Sequence, residues 1–112
     1  MAELLEKKCV PCRGGEPPLD GRQVEEYRKQ VPEWELVEKN DIPRLQRSYK
    51  FDDFAQALAF TQKVGEEAED QGHHPVLKTE WGKVTVIWWT HKIKGLHEND
   101  FIMAARSDKI YG

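Results

Sequence analysis

Glu69-Asp70-Gln71-Gly72-His73-His74-Pro75, followed by Trp81, His91 and Asp100, brings three of the four histidines of this chain to one short polar turn and the end of the next apolar run. Histidine is the side chain that both gives and takes a proton near neutral pH. Two adjacent imidazoles, a third imidazole beyond the next hydrophobic stretch, and a carboxylate four residues before the first are the components of a proton-transfer site. The competing chemistry is metal ligation, since His-rich tracts are common ligands. It is disfavoured here because adjacent histidines on extended backbone point apart and rarely share one ion.

The seven positions Glu69, His73, His74, Pro75, Trp81, His91 and Asp100, in fixed order over 32 residues, resemble the signature of the pterin-4a-carbinolamine dehydratases, the 4a-hydroxytetrahydrobiopterin dehydratases. The resemblance runs from about Leu19 to the C-terminus, taking in Gly95-Leu96 and the segment around Trp34. It departs from the animal pattern at Gly72, where an acidic residue often sits. The resemblance implies loss of water from a 4a-hydroxytetrahydropterin, giving a quinonoid dihydropterin, with no cofactor and no metal. It further implies a pterin substrate, a place in tetrahydrobiopterin recycling, and a link to an aromatic amino acid hydroxylase system.

Such a reaction needs one acid and one base, and groups with a pKa of roughly 6.5 suit both roles. His73 and His91 are the candidates, because one ends a helix and the other a neighbouring strand, so that they can flank a flat ligand. Which is acid and which is base stays open. His74 is expected to position the substrate, Glu69 to fix an imidazole from one helical turn earlier, and Asp100 to do the same for His91. Trp34 or Trp81 is expected to stack on the pterin. The resemblance adds contacts from Gly72 and from Trp89-Thr90-His91-Lys92. His97 lies outside the motif and reads as an ordinary satisfied histidine. Two other readings exist: a protein-interaction module, since relatives of this family also serve as dimerisation partners of a homeodomain transcription factor in animals, and a pterin-binding or molybdopterin-related auxiliary protein.

The elements that must position these residues can be read from periodicity. Asp20 reads as the N-cap of a short helix over 21–30 that Pro32 stops, with Val24, Tyr27 and Val31 at helical spacing. Trp34 and Leu36, then Leu45, Arg47 and Tyr49, alternate on either side of Asn40-Asp41-Ile42-Pro43, which reads as a hairpin loop. Asp52 or Asp53 opens a long helix with an apolar stripe of Phe54, Ala57, Leu58, Thr61, Val64 and Ala68, and Gly72 ends it. A second hairpin over 76–81 and 83–90 turns at Gly82, with Val84, Val86 and Trp88 on one face, Thr85, Ile87 and Trp89 on the other, and His91 continuing the Thr85 face. A last helix runs from His97 to about Ile110. The order α-β-β-α-β-β-α implies an α+β fold, a four-stranded antiparallel sheet with helices on one face.

The chain has 112 residues, enough for a single domain over 19–112 and few enough that pairing would help cover its apolar surface, so a homo-oligomer, most simply a dimer, is expected. A net charge of −3 offers no footprint for a phosphate backbone, so direct nucleic-acid binding is not expected. The longest apolar stretch, residues 84–89, is too short to span a bilayer, and the N-terminus lacks an apolar signal core, so the chain reads as cytoplasmic. Both cysteines fall in Cys9-Val10-Pro11-Cys12, within a Pro- and Gly-rich leader over 1–18. One Cys-x-x-Cys is half a zinc site, so the leader reads as reduced and mobile, with a metal half-site or a redox dithiol as alternatives.

Overall fold

Two hairpins join edge to edge into one sheet. The computed structural model describes Leu4 and residues 17–112. Strands β1 (Glu35–Lys39) and β2 (Ile42–Lys50) form the first hairpin, β3 (Val76–Glu80) and β4 (Lys83–Trp88) the second. The sheet order is β1-β2-β4-β3, antiparallel throughout, with β2 and β4 central in a register running from Leu45↔Trp88 to Lys50↔Lys83. Helices α1 (Gly21–Arg28), α2 (Phe54–Gln71) and α3 (Glu98–Tyr111) complete the expected α-β-β-α-β-β-α order.

The first hairpin turns more tightly than expected. Its loop is Asn40-Asp41 alone, at φ 54° and 63°, the left-handed pair that a two-residue turn matched to strand twist requires. Ile42 and Pro43 belong to β2. Lys39↔Ile42 closes the turn, so the alternation of antiparallel pairs directs the position of the missing Pro43 N–H away from β1. On that side β4 pairs only from Leu45 onward, and no ladder bond is lost.

Asp53 caps α2, its carboxylate accepting the Gln56 N–H at 2.8 Å. The helix buries Ala57, Phe60, Val64 and Ala68. Phe60, absent from the expected stripe, is central, whereas Phe54 and Leu58 are 45% and 51% exposed. The reason is the flank on which those two lie. Thr61, one turn beyond Leu58, hydrogen-bonds Thr79 of β3 at 2.6 Å, and β3 is the sheet edge, so this stripe is only half covered.

Leu45, Tyr49, Val84, Val86 and Trp88 face the helices and are buried with Trp34, Phe101, Ile102 and Leu4. The other face, with Gln46, Ser48, Thr85 and Ile87, carries no helix among the described residues; there Ser48 and Thr85 pair their hydroxyls at 3.1 Å. α3 is locked to the sheet through Asp108, whose Oδ1 accepts from Trp34 Nε1 at 3.0 Å, an Arg47 guanidinium N–H at 2.6 Å and the Tyr49 hydroxyl at 2.5 Å. The Leu19 N–H donates to the Leu96 carbonyl at 2.9 Å, and Pro18 packs so closely on Gly95 that a Cβ there would lie 2.8 Å away. The start of the resemblance thus coincides with a tie to the 90–96 loop. The Leu4 N–H donates to Gln30 at 3.0 Å; Cys9 and Cys12 lie outside the described residues. Among the described residues no helix is long and apolar enough to cross a membrane.

Candidate functional site

Gly72 closes α2 at φ 67°, its N–H directed to the Ala68 and Glu69 carbonyls, and the His73 N–H returns to the Ala68 carbonyl at 3.1 Å. These bonds hold His73 directly beyond the helix end, just before β3. In β3 Val76 pairs with Ile87 of β4. Continuing that register places His73-His74 beside Trp89-Thr90, so the turn and the end of β4 share one end of the sheet.

Asp100 joins them. It is fully buried in the first turn of α3. One carboxylate oxygen meets His73 Nε2 at 2.6 Å; the other accepts from the Thr90 hydroxyl at 2.8 Å and the His97 N–H at 2.9 Å. A carboxylate engaged as acceptor sets the proton on Nε2 of the neutral ring and leaves Nδ1 to take another. The His73 ring also stacks on Trp88, with centroids 5.5 Å apart and planes 14° apart. His73 is therefore oriented by a buried carboxylate on its edge and an indole on its face.

His74 points elsewhere. Its Nε2 meets Glu69 at 2.7 Å, with both side chains largely in solvent, at 65% and 80% exposure. β4 ends at Trp88, and an antiparallel bridge between Thr90 and Gly95 closes the following loop, with Lys94 at φ 51°. His91 and Lys92 lie exposed in a single 3-10 turn, His91–Ile93, rather than on a continued strand. The His91 ring stacks on Trp89, 4.3 Å between centroids.

Several pairings differ from those expected. Asp100 holds His73, not His91, because the first turn of α3 faces the helix-side surface of the sheet, where His73 and Trp88 lie. Glu69 holds His74. Trp34 is buried in the core with its N–H on Asp108, so it presents no face to a ligand. Trp81 is 74% exposed in the β3–β4 turn, the length of β3 away from the histidines. Arg44 and His97 were not expected at this end; Trp88, buried in the core, stacks on His73 there. His97 is the N-cap of α3: its Nδ1 accepts the Asn99 N–H at 3.0 Å while Asp100 accepts from the His97 N–H. The signal was present as a capping-box spacing, an acidic residue three positions after the cap, hidden because an imidazole stands in for the usual hydroxyl. Among the described residues no three His, Cys, Asp or Glu side chains gather as a metal would need.

Residues 17–110 match the family model described as pterin 4 alpha carbinolamine dehydratase. The chain belongs to that family. A Microcystis aeruginosa protein named "Putative pterin-4-alpha-carbinolamine dehydratase" is 55% identical over 111 residues, 99% of this chain and 96% of its own. A Chlorobium luteolum protein of the same name is 52% identical over 111 residues, 99% of this chain and 97% of its own. A crystal structure of a transcriptional coactivator/pterin dehydratase from Brucella melitensis matches with a TM-score of 0.78 at 29% identity, over 85% of this chain and 99% of that one. The same fold, at TM-score 0.58 and 24% identity over 69% of this chain and 89% of the other, occurs in a pterin dehydratase-like RuBisCO assembly factor of the alpha-carboxysome.

Proposed function

We propose that this protein dehydrates a 4a-hydroxytetrahydropterin, with His73 as base and His91 as acid. The C4a–O bond breaks as the hydroxyl takes a proton and leaves as water, N5 gives up its proton, and the C4a=N5 double bond forms. The observation that carries the assignment is the Asp100–His73 hydrogen bond, beneath the His-His turn of a chain in this family. A carboxylate behind an imidazole fixes the ring's tautomer and orientation, leaving the outer nitrogen to receive a proton, which suits removal of the N5 proton. His91 has no such carboxylate among the described residues and presents an exposed ring, suited to protonating a leaving hydroxyl. His74, backed by Glu69, positions the ring edge of the substrate, and Gly72, Thr90 and Lys92 border it. The same reading has the protein acting in the cytoplasm in tetrahydrobiopterin recycling, beside an aromatic amino acid hydroxylase.

The test is a rapid-mixing assay that follows dehydration of freshly generated 4a-hydroxytetrahydropterin by absorbance, with the His73→Ala variant as comparison. Turnover above the spontaneous rate, lost in the variant, is the expected result. A parent protein no faster than buffer would remove the dehydratase reading and leave a binding or interaction role of the kind named for the Brucella relative, which does not depend on His73.

A further inference from the structure

Arg44 stands on the face of β2 turned away from α2 and α3, opposite Val37 of β1. Its guanidinium carbon lies 4.1 Å from the centroid of the Trp89 ring, and His91 stacks on the same indole at 4.3 Å with 30° between planes. Both groups therefore pack on the one indole, only 9% of which is exposed. Arg44 is anchored by an N–H donated to the Lys39 carbonyl at 3.3 Å, and its Nε is buried without a hydrogen-bond partner. No carboxylate among the described residues pairs with it, so the aromatic face is what the cation meets.

The two catalytic histidines are thus supported differently. Asp100 and Trp88 fix His73 from edge and face, whereas the ring contact of His91 is Trp89, and no side-chain hydrogen bond or ion pair among the described residues adds to it. The orientation of His91 then depends on how firmly Trp89 is held. We infer that Arg44 is a positioning residue for His91, acting through Trp89. A planar, delocalised guanidinium stacks on an indole as a lysine ammonium does not, which suits arginine to this position. This role rests on the dehydratase reading for its effect on turnover, but not for its effect on the His91 ring.

Two measurements on the full chain test it. In proton NMR the His91 ring protons, shielded by the indole beneath them, should move downfield toward free-histidine positions in Arg44→Ala; unchanged shifts would overturn the inference whether or not the protein is a dehydratase. In the dehydration assay Arg44→Ala should lower kcat about tenfold, within the range that small misplacements of a reacting group produce, with KM nearly constant. In a His91→Ala background, the same Arg44→Ala change should cost nothing further, because a residue acting through His91 has nothing left to position. An equal loss in both backgrounds would show that Arg44 acts independently of His91 and would sink the proposal.

Discussion

At the scale of single residues the proposed site is a contrast between two imidazoles. His73→Ala should lower turnover by about 10²-fold or more, the usual scale for losing a positioned base, with circular dichroism unchanged. Asp100→Asn should match that loss, because the amide presents an N–H where a carboxylate oxygen accepted and so favours the wrong tautomer; parent-like turnover would remove Asp100 from the mechanism. His74→Ala should raise KM more than it lowers kcat, since its pairing with Glu69 is solvent-exposed and weakly held. The residue types were legible from spacing; the pairings were not. Glu69 lies one helical turn before His73, yet it meets His74, because Gly72 turns the chain through the left-handed region just beyond the helix and spacing ceases to be helical there. Trp34 and Trp81 look alike as aromatic candidates, and only tertiary packing separates a core indole from an exposed turn residue.

Among the elements, α3 carries more than its modest apolar pattern promised. Its residues 99–105 are all buried, and Asp108 gathers three donors from β2 and the segment before β1. Asp108→Ala leaves those donors without their acceptor and should cost about 2–4 kcal/mol in urea unfolding. Tyr27 of α1 tells the same story through pH. Burial, then its hydrogen bond to Glu98 of α3, lift its hydroxyl from 10.0 to about 12, and burial beside Asp108 pushes Tyr49 upward as well. A phenol whose folded pKa is raised contributes stability that is complete below pH 10 and is lost as pH climbs toward 12. The urea midpoint should therefore fall between about pH 10 and about pH 12, and Tyr27→Phe should fall less. The strand and helix order was readable because periods of 2 and 3.6 dominate each segment. The boundaries that moved, at Pro43 and Trp88, did so where a two-residue turn and the Thr90–Gly95 bridge overrode alternation.

At the scale of the whole molecule, among the described residues, one sheet face carries no helix and neither edge strand pairs with a further strand, with Leu36, Phe54, Leu58 and Trp81 exposed. Closed two-fold pairing covers such surfaces, and sedimentation equilibrium should give twice the 13.1 kDa chain mass; a monomer with full activity would remove pairing from the account. Turnover should also survive a strong chelator, with elemental analysis showing no stoichiometric metal, as expected of acid/base chemistry carried by imidazoles alone. Asp100 has a consequence at this scale too. The carboxylate that orients His73 is the one that closes the first turn of α3 on His97, and the first turn of a helix is where fraying begins. Most helices tolerate brief opening there without penalty to function. In this molecule each opening event also releases His73, the proposed base, so amide exchange at the start of α3 should set the temperature at which turnover fades, ahead of any change in the sheet.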